Sequence, residues 1–206
     1  MTTDGTHLLE LLRDRLDPID GDDVPAARGD GDLNGSVAPS GRDLRPAAVL
    51  APLILHDGPA RLLLTERAAH LNNHGGQISF PGGRVEASDA SSSAAALREV
   101  EEEIGIGAAH IELIGRFDAY ETVTGFQVNP FVGVIKPGFS IQADANEVAD
   151  VFDTPFDFLM DPANHQHQSR VWNGKRRYYY AMPWQDRYIW GATAGMLKAL
   201  YDRLYG

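Results

Sequence analysis

The sequence predicts a mixed α/β domain, and three observations carry that prediction. Apolar strand patterns flank one acidic helical stretch, at residues 47–56 and 61–65 before it and at 111–117 and 127–136 after it. A glycine loop, Gly82-Gly83, leads into the acidic stretch and Gly105 ends it. A second helical pattern closes the chain, with Met196, Leu197, Leu200, Tyr201 and Leu204 at core-facing spacing within 192–204. The length, 206 residues, suits one domain with a full hydrophobic core and one appended element. Periodicity alone leaves the strand order open.

Residues 7–17 carry Leu8, Leu9, Leu12 and Leu16, the stripe of a short amphipathic helix, and Pro18 is a natural stop. Core packing is the plain expectation; a dimer contact or a lid is the alternative. Residues 19–42 are mostly Gly, Asp, Ala, Pro and Ser without periodicity, which predicts a loop or mobile linker with no chemistry. The chain thus divides into residues 1–41, an amphipathic helix with a flexible linker, and residues 42–206, the main domain.

Asp57-Gly58 reads as a hairpin turn between the first two strands. Pro52 inside the first of them predicts an edge or a bulge. Arg67, His70 and His74 then fall in a polar loop. A loop gives the two histidines no fixed helical spacing, so they are not read as a metal pair. Arg67 is a stronger candidate, since a guanidinium binds phosphate bidentately. Pro137-Gly138 reads as a turn, and Tyr120, Thr122, Gly125 and Phe126 fit either a pocket wall or a loop anchor. Glu147 precedes a strand around Val151 and Phe152, and Thr154-Pro155 opens a short helix to Met160. Trp172-Asn173-Gly174-Lys175 is a hairpin signal, Asn-Gly being a preferred two-residue turn. Residues 178–182 continue its second strand, and their three tyrosines fit a base-stacking surface and a half-buried strand equally.

The acidic stretch organises the rest. Leu97, Val100 and Ile104 fall on one side of a helix, flanked by Ala94 and Ala95. Asp89 or Ser88 could cap it, and Gly105 with Ile106 suits a left-handed stop. Glu99, Glu102 and Glu103 share the opposite side at spacings of three and four. Like charges so placed cost a helix roughly 0.2–0.5 kcal/mol per pair, so something cationic belongs on that face. A hard divalent ion such as Mg²⁺ fits, because it takes oxygen ligands and is shared with substrate phosphates. Arg98 points away from the apolar side and is expected to pair with a carboxylate that fixes the loop.

This stretch resembles the Nudix box, G-x5-E-x7-R-E-U-x-E-E-x-G-U with U aliphatic. Arg98, Glu99, Val100, Glu102, Glu103, Gly105 and Ile106 match its second half without a gap. In the first half Asp89 stands where the family has Glu, and eight residues rather than seven separate it from Arg98. That variant, following Phe80-Pro81-Gly82-Gly83, is similar to the coenzyme A pyrophosphatase branch. So is the run 63–68, Leu-Leu-Thr-Glu-Arg-Ala, with Gly76 before Phe80. The branch signature has an Arg where this chain has Asn72.

The resemblance implies a Nudix fold, a mixed sheet sandwiched between helices, covering the chain from about Arg42 onwards. It implies metal-dependent hydrolysis of the diphosphate of coenzyme A or acyl-CoA, giving adenosine 3′,5′-bisphosphate and (acyl-)4′-phosphopantetheine. Mg²⁺ or Mn²⁺ would sit on Glu99, Glu102 and Glu103. The base would be Glu102 or Glu147, and Arg67, Gly82 and Gly83 would contact substrate, with Arg67 the first choice of cation for the 3′-phosphate. Asn72 keeps open a Nudix hydrolase for another nucleoside diphosphate derivative, such as an ADP-sugar or a dinucleotide. A noncatalytic nucleotide-binding module is the third reading; loss of box carboxylates would mark it, and all are present.

Bulk properties exclude other classes. A net charge of -11 argues against a nucleic-acid surface. It also requires local arginines and a metal to offset repulsion of an anionic substrate. No apolar run reaches the ~20 residues of a membrane helix, and Met1-Thr2-Thr3-Asp4 lacks signal-peptide character. The absence of cysteine excludes disulfides and thiolate sites and is compatible with a cytoplasmic home. The expected partner is a small-molecule nucleotide, without membrane or nucleic acid; a homodimer follows from the family resemblance, not from any pattern.

Overall fold

The N-terminal leucine stripe forms helix α1 (Gly5–Arg15), with Leu8 and Leu12 fully buried. This computed structural model describes residues 5–19, 26–36, 38, 40–56, 58–71, 74–172 and 174–206. Of the stretch predicted as a linker, residues 26–36 are built into the fold. Strand β1 (Arg28–Gly29) adds in parallel to a later strand at Tyr120 and Glu121. Gly29 makes that approach possible, because a Cβ there would stand 2.7 Å from the Glu121 carbonyl oxygen. Backbone pairing needs no hydrophobic period, so composition did not reveal it.

Strands β2 (Arg45–Ile54) and β3 (Arg61–Arg67) form the predicted hairpin, with Leu53 opposite Leu62 and Ile54 opposite Arg61. Asp57 of the predicted turn lies outside the described residues. Two short strands follow, β4 (Ile78–Ser79) and β5 (Gly82–Arg84), and then the acidic helix α2 (Ser92–Ile104). Next come β6 (Ile111–Arg116), β7 (Tyr120–Glu121), β8 (Phe126–Ile135) and β9 (Val148–Pro155). The short α3 (Phe156–Leu159) leads to β10 (Gln166–Trp172) and β11 (Lys175–Trp184). Trp172 opposite Lys175 closes that hairpin, though Asn173 itself lies outside the described residues. Strand β12 (Arg187–Trp190) and helix α4 (Ala192–Tyr205) end the chain.

Among the described residues these strands make two sheets. The larger is mixed, in the order β1-β7-β8-β2-β3-β4, with β5 also on β2, β6 on β8 and β9 on β3. The smaller is the antiparallel meander β10-β11-β12. β2 is therefore central and runs against β8 without a register shift, so Pro52 marks neither the edge nor the bulge it predicted. Its parallel register with β8 runs from Arg45 to Leu53. On its other side it pairs β5 through Val49 and β3 from Leu53, and Pro52 falls in the interval, where a missing N–H removes no bond to either strand.

The sheet is buried on both faces, which is why β2 reads as a continuous apolar run. Ala48, Leu50 and Ile54 pack with Ala95, Ala96, Val100 and Ile104 of α2. Ala47, Ala51 and Leu53 point the other way, into a core shared with Leu8 and Leu12 of α1 and Leu197, Leu200 and Leu204 of α4. The predicted mixed sheet between helices is thus the observed architecture. Because Leu12 is fully enclosed, Leu12→Ala is expected to cost about 2–5 kcal/mol. Urea denaturation checks this: an unchanged midpoint would mean that α1 is an appendage rather than part of the core.

Candidate active site

The acidic helix is held at both ends by its own sequence. Ser91, not the predicted Ser88 or Asp89, is the N-cap, its side chain accepting from Ala94 N at 3.1 Å. Gly105 ends it with φ +73°, its N–H returning to the Glu101 carbonyl. Asp89 is freed for another task. Its carboxylate accepts the Glu86 N–H at 2.8 Å and receives Arg98 through two bonds, Nε to Oδ1 at 2.9 Å and Nη2 to Oδ2 at 3.0 Å. The same guanidinium donates to the Arg84 carbonyl at 3.0 Å, to Glu99 at 3.0 Å and to Glu102 at 2.8 Å. One side chain thus ties strand β5, the loop after it and two carboxylates of α2 together, as the paired-carboxylate reading of Arg98 expects.

The three glutamates do not share one solvated face. Glu102 is 59% exposed, whereas Glu103 is 2% exposed. Glu103 lies at the margin of the apolar stripe, and the turn before β5 closes over it. Gly82 N–H donates to one of its oxygens at 3.1 Å and Arg67 to the other at 3.3 Å. Burial pushes the Glu103 carboxyl up to about 7, aided by the charges of Glu99 and Glu147 and opposed by Gly82 N–H and Arg67. Burial likewise raises Glu99, with Arg98 opposing and Glu102 and Glu147 adding to the shift. Glu147, on the loop before β9, is exposed but close enough for its charge to reach both.

Arg67, read as a phosphate-binding residue, ends β3 at this same end of the site, against Glu103. Gly83 lies directly over Glu99: a Cβ there would stand 2.5 Å from the carboxylate carbon. His74 pairs with Gln77 at 2.9 Å. The Asn72 position lies outside the described residues.

A cavity of about 830 Å³ opens from the Gly82-Gly83 turn. Tyr120, Thr122 and Phe126 line it, the pocket-wall alternative of the sequence reading, with Arg45 stacked on Phe126 at 4.0 Å. Its far wall is the small sheet, where Arg170, Trp172, Arg177, Tyr179 and Trp190 face inward. Of that wall the sequence reading had the three tyrosines at 178–180, as a base-stacking surface or a half-buried strand, and missed the arginines and tryptophans. Their signal was the alternation of Arg and aromatic residues at 170 and 172 and at 177 and 179.

The donor set is carboxylate oxygen only, which suits a hard divalent cation. Among the described residues no three His, Asp or Glu side chains converge on one point. Arg98 and Arg67 occupy carboxylate oxygens in this arrangement, so cation binding would exchange those ion pairs for metal bonds. An ion that keeps water and shares substrate phosphates needs no closed protein cage.

The NUDIX domain matches residues 44–179, two thirds of the sequence. The chain belongs to the Nudix family. It is a Nudix hydrolase, and phosphoric anhydrides are its class of substrate. It is 42% identical over 164 residues to the Nudix hydrolase NudL of Enterobacter sp. (strain 638), covering 76% of this chain and 81% of that protein. NudL of Escherichia coli (strain K12) is 40% identical over 157 residues, with the same coverage. Among solved structures, the Nudix domain of Shewanella oneidensis NrtR complexed with ADP ribose aligns at 16% identity and TM-score 0.49, over 81% of this chain and 90% of that one. A C. elegans Ap4A hydrolase binary complex aligns at 19% and 0.47, over 54% and 80%. Among the described residues no helix is long and apolar enough to cross a membrane.

Two outcomes follow from this geometry. Gly83→Ala drives a methyl into Glu99, and a misplacement of that kind costs about 10²-fold in turnover; steady-state assays with a melting curve alongside separate it from unfolding. The Arg98 guanidinium and the Glu86 N–H hold the Asp89 carboxyl below the usual aspartate range. Its contribution to stability is therefore complete above the unfolded value of about 3.9 and is lost as pH falls through the folded value. Asp89→Asn should lower the urea midpoint at neutral pH and flatten its fall in acid; parallel acid profiles for both proteins would refute the pairing.

Proposed function

We propose that this Nudix hydrolase cleaves the diphosphate of coenzyme A or an acyl derivative. The observation that carries the reading is the box variant itself, in which Asp89 takes two bonds from Arg98 and the same guanidinium holds Glu99 and Glu102 behind the Gly82-Gly83 edge of the cavity. About 830 Å³ with a mixed apolar and arginine lining is room for an extended nucleotide conjugate rather than a bare nucleotide. Glu99, Glu102 and Glu103 are the residues that would hold Mg²⁺ or Mn²⁺. Such an ion, when bound, neutralises the diphosphate and acidifies water.

The chain's own groups supply the rest. Gly83, with no side chain, lets the backbone approach the diphosphate closely. Arg67 and Arg45 offset the negative charge that the acidic helix brings to the site. Glu102 or Glu147 takes the proton as the water oxygen attacks phosphorus, and the anhydride P–O bond breaks with the second phosphate as leaving group. Glu102 is held by Arg98 on one oxygen, and Glu147 stands exposed on the loop before β9. No covalent intermediate is needed. Asn72, in a position where the coenzyme A branch carries Arg, supports a second reading: the same hydrolysis on another nucleoside diphosphate derivative, an ADP-sugar or a dinucleotide.

Chromatography of the products tests both. Coenzyme A, ADP-ribose and a dinucleotide are compared at equal concentration with Mg²⁺, with Mn²⁺ and with chelator. Adenosine 3′,5′-bisphosphate from coenzyme A is expected, absent with chelator. Glu102→Gln should reduce it by about 10²–10⁴-fold if that carboxylate moves the proton. Cleavage of another compound alone would favour the second reading.

A further inference from the structure

The small sheet carries an arrangement that folding does not require. Arg170 of β10 and Arg177 of β11 are direct cross-strand partners, so both guanidiniums leave the same face of the sheet. Like charges directly opposite one another destabilise an antiparallel pair. Neither forms an ion pair with a carboxylate among the described residues, and both line the cavity. Instead each lies over an indole: Arg170 is 4.5 Å from the Trp190 ring and Arg177 is 5.6 Å from the Trp172 ring. Tyr179 packs edge-on to Trp190 at 5.3 Å on the same face. The rings hold the two cations in place and leave their N–H groups unspent.

The other arginines and the lysine of the cavity either meet carboxylates or stand at the diphosphate end. Arg28 and Lys198 both reach Asp202, and Arg67 meets Glu103. Arg45 and Arg84 lie over Phe126, beside the glycine turn at the diphosphate end. Asp30 is near enough to feel the charge of Arg177, but its two oxygens accept from the Tyr120 hydroxyl at 3.0 Å and the Val123 N–H at 2.8 Å. A pair of uncompensated guanidiniums facing one cavity, in a chain of net charge -11, calls for an anion.

We propose that Arg170 and Arg177 form a second anion station, which takes a non-reacting phosphate monoester carried by the substrate away from its scissile anhydride. The fork of donors on each guanidinium suits a phosphate dianion, and the indoles and Tyr179 supply a face for the adjoining base. On the coenzyme A reading, on which the choice of group rests, that phosphate is the 3′-phosphate of the adenosine. The station therefore selects substrates bearing this phosphate over otherwise identical anhydrides without it.

Binding and turnover test this separately, on the full chain. Calorimetry compares adenosine 3′,5′-bisphosphate with adenosine 5′-monophosphate. Hydrolysis compares coenzyme A with 3′-dephospho-coenzyme A. The wild type should prefer the 3′-phosphorylated member of each pair by about tenfold or more, as two charge-assisted contacts warrant. Arg170→Gln with Arg177→Gln should abolish both preferences, lowering kcat/KM for coenzyme A about tenfold more than for 3′-dephospho-coenzyme A, and keep or raise the melting temperature, since a repulsive pair is removed. A variant that loses both members of a pair equally, or melts lower with its preference intact, would overturn the station. If neither coenzyme is cleaved but the binding preference holds and needs both arginines, the coenzyme A reading fails and the station stands. Equal binding of the two nucleotides by the wild type would reject the station, whatever is hydrolysed.

Discussion

The guanidinium of Arg98 is the point on which the site depends. It joins groups that local sequence would not bring together: the Asp89 carboxylate, the Arg84 carbonyl, Glu99 and Glu102. Without it, two carboxylates of α2 would repel across one turn, and strand β5 would keep the Gly82 N–H bond to Glu103 but lose the tie from its Arg84 carbonyl to the helix. Arg is the only side chain with enough donors in a fixed fork to satisfy all of these at once. Ser91 rather than Asp89 caps the helix. The short Asp side chain then reaches back to the Glu86 N–H and presents both oxygens to Arg98.

Charge is distributed against the overall balance of the chain. An acidic protein that binds an anhydride must concentrate its cations where the substrate lies, and the cavity lining does so with Arg45, Arg67, Arg84, Arg170 and Arg177. At the other extreme, Glu103 is buried at a cost offset by Gly82 N–H and Arg67. Burial raises both the Glu103 and the Glu99 carboxyls above their ordinary range, and like charges add to it, Glu99 and Glu147 on Glu103, Glu102 and Glu147 on Glu99. A cation placed among them relieves that repulsion.

Most elements were legible because their signals are local. Val100 and Ile104 define the buried stripe of α2; Leu8, Leu12 and Leu16 define α1; Trp172 and Lys175 bracket a turn. Failures came where a long-range partner decides. Pro52 looked like an edge because a proline lacks an N–H, yet its strand is central: β5 and β3 divide the other side and leave the proline in the gap. Arg28 and Gly29 carry no periodicity, since a two-residue strand is specified by the backbone of Tyr120 and Glu121 rather than by its own side chains.

The sequence by itself determined the helix with its stop, the carboxylates and the arginine of the box, and hence the class of chemistry. These depend on spacings of three and four residues, which a helix converts directly into neighbours. Tertiary structure alone decided that Glu103 is buried while Glu102 is exposed, and that Arg67 meets Glu103. It alone placed the Arg and Trp residues of a separate small sheet across the cavity from the acidic helix. Those facts depend on how strands far apart in the chain stack around β2 and α2. Nothing in a local pattern encodes the distance between residue 83 and residue 170.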